Sequence, residues 1–425
     1  MKLRIEPVPG NPILWIFFWW AAFQQICALQ AIGQESIRAS LAGDVSANAR
    51  KPSIDASGYN LQLGPALAKL SASLALEVND NIALSENSRQ SDLIVRPSLD
   101  ANVLWQVSAL NALRLDLGIG YAAYVGHSKY DTQSLLIAPN SAVSFDIYIG
   151  DFRITIFDQF SLLQNPVDEI DLARVARFDR FQNSAGLTVL WDLNKVILVG
   201  GYAHYNYESL NSDFSYLDRS EEQFFFSGSY AATKTVSIGI RGTAALINYR
   251  TNFKNNGVLY SFGPYLEAQI TPYVNILIEG GYQGGSFDSG GLNGDSSDLN
   301  SFYARLQITH RMNRYLTERL EVGHDAVLGL ASNTTKVTYA TYSAMWRVNS
   351  KATVDMEALY QHGNDSPSTF ESERVNRFGA GANLEYKLGR HLSTSLGYWF
   401  IDRTSDLPDR DYYQNRVLWS ISYDF

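Results

Sequence analysis

The chain has one cysteine, Cys27, in 425 residues. That excludes a disulfide within the chain and any cysteine-built zinc or redox site. Histidine is also scarce. The six are His127, His204, His310, His324, His362 and His391, at spacings that fit no metal motif. No phosphate-binding glycine loop occurs. His127–Ser128 and His324–Asp325 are adjacent in sequence. Neighbouring residues of a strand point to opposite faces, so neither pair brings a base to a nucleophile. The residues therefore argue against an enzyme, and no cofactor or metal is expected. Positive charge is in deficit: 34 Lys and Arg stand against 43 Asp and Glu, a net charge of −9. That argues against nucleic acid as a partner. Beyond residue 31 there is no apolar run of the roughly 20 residues that a spanning helix requires.

The single long apolar run is N-terminal. Lys2 and Arg4 precede Ile13–Phe23, and small residues follow at Ala28 and Ala31. This is the plan of a cleaved signal peptide, 1–31, although Leu29 is a poor −3 residue for cleavage after Ala31. Ile26 before Cys27 is too large for a lipoprotein box, and the run is short for an uncleaved anchor. Removal of 1–31, which carries Lys2, Arg4 and Glu6, leaves no cysteine and a charge near −10. Residues 32–60 are rich in Ala, Ser and Asp without a sustained period and read as a periplasmic tail, with a short helix conceivable over 36–41.

From about residue 67 the pattern is period two. The last ten residues put Val417, Trp419, Ile421, Tyr423 and Phe425 on one face, and Arg416, Ser420, Ser422 and Asp424, with Leu418, on the other. In a soluble fold this strand would be an exposed, adhesive edge. In a closed barrel it is paired on both sides and faces lipid. Leu113, Leu115, Leu117, Ile119 and Tyr121 likewise oppose Arg114, Asp116, Gly118 and Gly120. Ile238 and Ile240 oppose Ser237 and Arg241. Tight connections near 109–111, 150–151, 192–194, 233–234, 271–273, 312–314, 349–351 and 389–391 alternate with longer polar ones near 85–91, 126–132, 165–177, 210–219, 251–256, 288–298, 331–336, 364–372 and 405–411. Short turns on one side and long loops on the other mark a transmembrane antiparallel β-barrel. The fold class is all-β, a single barrel of about eighteen strands over 61–425, with sixteen as the alternative and both termini periplasmic. A soluble sandwich would turn its apolar face inward and leave no charged face to fill. Trp105, Phe152, Trp191, Tyr260, Tyr282, Trp346, Tyr398, Trp419 and Tyr423 lie near strand ends, as interfacial aromatic girdles do.

The polar face carries charges of both signs: Arg96, Asp100, Arg114, Asp116, Arg241, Glu267, Glu279, Arg305, Arg319, Glu321, Arg347, Asp355, Glu357, Arg377, Glu385 and Lys387. They are candidate pore-lining residues. Cross-strand ion pairs that merely stiffen the wall are the competing reading for any one pair. The loop from Asn165 to Arg180 is unusual, with Asp168, Glu169 and Asp171 followed by Arg174, Arg177 and Arg180. Asn165–Pro166 is a helix-start signal, and acids before bases suit the helix dipole. This loop either folds into the barrel as a constriction or forms a short helix outside it. Asp288, Asn293, Asp295 and Asp298 could offer oxygen ligands to calcium, but their spacing is not that of an EF-hand and a solvated loop is favoured.

An alternating C-terminal strand ending in Phe, here Trp419, Ile421, Tyr423 and Phe425, resembles the signal read by the bacterial barrel-assembly machinery. Leu76–Ser85, with Asp80-Asn81-Ile82, followed by Ser91–Leu99 with Ser91-Asp92 and Pro97, resembles the start of β-barrel porins encoded near capsular and extracellular polysaccharide genes. Phe181-Gln182-Asn183 before a strand is similar to that group as well. The resemblance spans about 67–425 and implies a bacterial outer-membrane barrel, surrounded by lipid and linked to polysaccharide export. A saccharide solute and a separate periplasmic export partner would follow, because no helical-repeat domain is present. A general diffusion porin, or a plugged structural or adhesive barrel working through its outer loops, are the alternatives.

Overall fold

The computed structural model describes residues 59–369 and 372–425, with the backbone alone at Asp168. The expected signal peptide 1–31, and the tail 32–60 up to residue 58, lie outside the described residues. Strands follow one another with little else. β1 (Leu61–Leu63) doubles back on β2 (Ala66–Asn79) through a turn where Gly64 takes φ +62°. Then come β3 (Asp92–Ser108), β4 (Asn111–Gly120), the short β5 (Ala123–Tyr124) and β6 (Leu136–Ile137), β7 (Ala142–Ile149), β8 (Phe152–Leu163) and β9 (Arg180–Asp192). β10 (Val196–Ser209), β11 (Arg219–Ala231), β12 (Val236–Tyr249), β13 (Gly257–Thr271), β14 (Val274–Phe287) and β15 (Leu299–Arg311) continue the wall. β16 (Leu316–Leu328), β17 (Thr334–Arg347), β18 (Ala352–Asp365), β19 (Arg374–Lys387), β20 (Leu392–Ser405) and β21 (Tyr412–Asp424) complete it.

All but β1, β5 and β6 form one closed antiparallel barrel of 18 strands. Each wall strand pairs with the next, and β21 returns to β2, with Ser71–Asn79 antiparallel to Arg416–Asp424. Closure leaves no open edge, the condition for putting a sheet in hydrocarbon. The tight connections expected from the sequence are the turns at one end, and the long ones are the loops at the other. At the seam, Asp80 accepts from the backbone N–H and Nδ2 of Asn415 at 2.7 and 2.6 Å. Asn81 donates to the carbonyl of Tyr413 at 2.9 Å, and Gln414 donates to the carbonyl of Asn81 at 2.8 Å. The Asp-Asn-Ile segment singled out in the sequence is thus a clasp over the junction of first and last wall strands.

The outward face is apolar. Ile238, Ile240, Phe262, Ile278, Tyr398 and Trp419 are all exposed, as are all nine aromatics expected at strand ends. The face becomes polar toward the loop end, at His204, Glu222, His362 and Asn376, so the apolar band ends before the strands do. Trp419, Tyr423 and Phe425 all point outward beside the seam. Buried apolar side chains gather inside the loop end instead. Val167, Leu84, Leu359, Ile401 and Tyr412 form one cluster, and Leu172, Phe178, Tyr205, Tyr207 and Leu217 another.

Ile240→Arg puts a charge in the middle of this outer band. It should destabilise the refolded barrel in lipid by roughly 2–4 kcal/mol in urea unfolding, whereas Ser237→Arg on the inner face should cost far less. Equal losses would contradict the assignment of faces.

Candidate functional site

The loop 164–179 leaves the wall at β8 and returns at β9; it packs on neighbouring β10 and also reaches β17–β21, across the barrel. A helix is not formed. Asn165 accepts from the N–H of Val167 at 3.4 Å and caps a single 3-10 turn, Pro166–Asp168. Glu169 is already extended. Two carbonyls that a helix would use internally are taken by arginines of the far wall. Arg377 Nη1 donates to the carbonyl of Val167 at 2.7 Å, and Arg403 Nε to that of Ile170 at 2.9 Å. The expected helix fails for this reason: side-chain donors on the facing strands outcompete the loop's own N–H groups. Of the two positions open from the sequence, the loop takes the inward one.

The anchoring is specific. Arg377 and Arg403 are both 0% exposed. A buried guanidinium needs its donors met and its charge balanced. Arg377 Nε donates to Gln361 at 2.8 Å. Arg403 also donates to the carbonyl of Arg410 at 2.8 Å and to Glu373 at 2.6 Å, while Glu373 takes Arg410 at 2.7 Å and Ser405 as well. Apolar packing adds to this through Val167 against Leu84, Leu359, Ile401 and Tyr412. Arg174 and Leu84, at φ +61° and +50°, both hold left-handed backbone, and the N–H of Arg174 donates to the carbonyl of Leu84 at 2.9 Å. Two strained residues are thus pinned to each other where two loops meet, and such strain persists only where the surroundings enforce it. Glu169 lies 3.8 Å from Arg180, and Arg177 pairs with Asp179 and donates to the carbonyl of Asp131 at 3.4 Å. Asp171 meets the hydroxyl of Thr335 on β17.

The inward face of the wall carries the other charges expected there. Arg241, Glu279, Arg305, Glu321 and Arg319 make a continuous ladder over β12–β16, with contacts of 2.5, 3.6, 2.9 and 2.7 Å. Arg96 pairs with Glu77 at 2.9 Å, and Arg114 with Asp146 at 2.6 Å. Asp146 also takes Arg153 and Thr155. Asp116 accepts from Asn102 at 2.6 Å. The partners of Arg96 and Arg114, Glu77 and Asp146, were not singled out in the sequence. Glu267 sits opposite Leu277. Asp100, Arg347, Asp355, Glu357, Glu385 and Lys387 also share the inward face, by strand alternation. Glu77, Asp146, Arg153, Glu373 and Arg403 are the residues that sequence reasoning missed. Arg403 follows Trp399 and Ile401 on an inward face that is locally apolar, which hid it.

The remaining long loops interlock. Asn255 donates to the carbonyl of Asp295 at 2.6 Å and to Asn333 at 3.0 Å; Asp295 accepts from Asn333 N–H at 2.8 Å and Ser366 at 2.5 Å. Asn293 and Asp295 are therefore consumed in joining loops. Asp298 accepts from the N–H of Phe287 at 2.9 Å instead, so the oxygens considered for calcium do not converge.

No protein-family model matches the chain, and no curated protein matches it. Solved structures do. It is similar to OccK2 (OpdF) of Pseudomonas aeruginosa, solved in complex with glucuronate, at 12% identity and a TM-score of 0.50, over 87% of this chain and 100% of that one. OccAB3 of Acinetobacter baumannii matches at 11% identity and a TM-score of 0.49, over 85% and 100%. A BenF-like porin of Pseudomonas fluorescens gives the same three values and 100% of its own chain. At 12% identity, the likeness to OccK2 (OpdF) bears on the fold alone.

Arg403→Met removes three donors and half of the charge opposing Glu373. With Arg410 remaining, the loss should be about 3 kcal/mol, near the low end for a broken buried pair. Urea unfolding would measure it, and protease sensitivity of 164–179 should rise in parallel. A loss below about 1 kcal/mol would show that the loop is held by packing alone.

Proposed function

We propose that this chain is an outer-membrane channel that passes a hydrophilic solute, with both termini periplasmic and loop 164–179 as its constriction. The observation that carries this reading is the inversion of polarity: apolar outside, charged inside, with one loop drawn across the lumen. Eighteen-stranded barrels are wide enough to hold an aqueous path. The charges named above would line it, with Glu169, Asp171, Arg174 and Arg177 on the constriction and Asp168 beside them in sequence. Paired arginines and carboxylates present fixed donors and acceptors along the wall, which suits a polyhydroxylated or charged solute better than an apolar one.

The finer reading is a saccharide solute and a link to extracellular polysaccharide, delivered by a separate periplasmic partner. It is supported by the resemblance carried on Leu76–Leu99. The C-terminal face of Trp419, Ile421, Tyr423 and Phe425 is the proposed contact with the barrel-assembly machinery. A plugged barrel is the second reading, favoured by the interlocked loops around Asn255, Asp295 and Asn333.

Single-channel recording of the refolded chain in a planar bilayer separates these. Steady conductance reduced by acidic or neutral oligosaccharides is expected; conductance indifferent to sugars would favour a general porin, and none from a folded barrel would favour the plug. Deletion of Val167–Ala176 should raise the conductance. An unchanged value would remove the loop from the role of constriction.

A further inference from the structure

Where the crossing loop meets the far wall, two carboxyl groups share one hydroxyl. Thr335 Oγ1, wholly buried, lies 2.5 Å from Asp365 Oδ1 and 3.3 Å from Asp171 Oδ2. A hydroxyl has one hydrogen to give. If both acids were ionised, one of them would face the lone pairs of Thr335. With one proton on the pair, one acid donates to Thr335 and Thr335 donates to the other, so every close contact is a hydrogen bond. The second oxygen of Asp171, Oδ1, is closed off from solvent and has no hydrogen-bond partner among the described residues, an arrangement that a neutral carboxyl tolerates better than a carboxylate.

We propose that Asp171, Thr335 and Asp365 form a one-proton site that latches the crossing loop to the far wall, and that loss of the proton releases the loop. The groups facing Asp171 set the sign. Asp365 comes from β18 and Glu373 from the loop before β19, both negative when ionised. Arg403 comes from β20, and Thr335 from β17. Arg403 is the one cation among them, and it is already committed to Ile170, Arg410 and Glu373. Arg410 is likewise held by Glu373, and Lys254 acts on Asp365. Burial first, then repulsion from Asp365 and Glu373, push the Asp171 carboxyl from the ordinary 3.8 up to about 8.

In the released loop Asp171 returns to water and to its ordinary value. The latched state therefore binds the extra proton between these two values. The ratio of released to latched loop should rise with pH, by at most about tenfold per unit, from about 4 to about 8, and level off above that. Below pH 4 both states are protonated and the latch is at full strength. The latch itself needs only the folded barrel; its consequence for flow rests on the channel reading.

Amide hydrogen exchange of residues 167–176 in the refolded full barrel, corrected for intrinsic base catalysis, reads the latch without reference to conductance. The Arg174 amide, bound to Leu84, is the main reporter. Its protection should fall progressively from pH 4 to 8 in the wild type. Asp171→Asn keeps the shape and cannot ionise at that position, so its protection should fall far less with pH, Asp365 alone remaining raised by burial, to about 6; Thr335→Val, which removes the bridge, should start weaker at pH 4. Protection that is flat with pH in the wild type overturns the proposal, and so does an equal fall in Asp171→Asn. If protection falls as expected while no conductance appears at any pH, the latch stands and the channel reading fails.

Discussion

Everything in this barrel depends on satisfying backbone hydrogen bonds where water is absent. A sheet in hydrocarbon can have no free edge, because each unpaired N–H or carbonyl would cost several kcal/mol. The pairing of β2 with β21 meets that demand, and Asp80, Asn81 and Gln414 bind the two strands together just beyond it. Once closure is imposed, alternation dictates the rest. One face of every strand must suit lipid, and the other is free to be polar. The inward charges can then be held by one another, as the Arg241–Arg319 ladder is.

The loop end obeys a different rule. There the interior is narrowed by chain that has left the wall, and that chain brings its own unsatisfied carbonyls. Arg377 and Arg403 answer them. The burial of Arg403 requires counter-charge, which Glu373 supplies from yet another loop. The loops are consequently coupled to one another. The crossing segment touches Leu84 on one loop, Asp131 on a second, and Arg403 of β20, which Glu373 and Arg410 tie to two more. A change in charge at one point of this arrangement has few ways to be absorbed locally, because Arg377, Arg403 and Glu373 are buried and already hydrogen-bonded.

Much of the wall was legible in the sequence, since period-two alternation is a local property. The faces of Leu113–Tyr121 and Ser237–Arg241 read correctly from neighbours alone, and so did the placing of turns and loops. Partner choice was not legible. Arg114 sits near Asp116 in the chain, but Asp146 comes within reach, diagonally across the strand pair, only after β7 folds against β4. The loop was visible as unusual through its acids and arginines, yet its path was set by Arg377 and Arg403, more than 200 residues away in the hydrogen bonds they make. The Asp-Asn-Ile segment stood out only by resemblance; its physical role appears once Asn415 lies beside Asp80.

The most direct measurement is thiol accessibility in intact outer membranes. Removal of 1–31 would leave no native cysteine, so single cysteines at Ser237 and Thr243 on the inner face, and at Ile238 and Ile240 on the outer, report without background. A small, charged, water-soluble thiol reagent should label Ser237→Cys and Thr243→Cys and leave Ile238→Cys and Ile240→Cys unreacted. Labelling of the isoleucine positions with protection of the other two would mean that the apolar face lies against protein and the polar face against solvent outside, and a lipid-embedded barrel with a wet lumen would be ruled out.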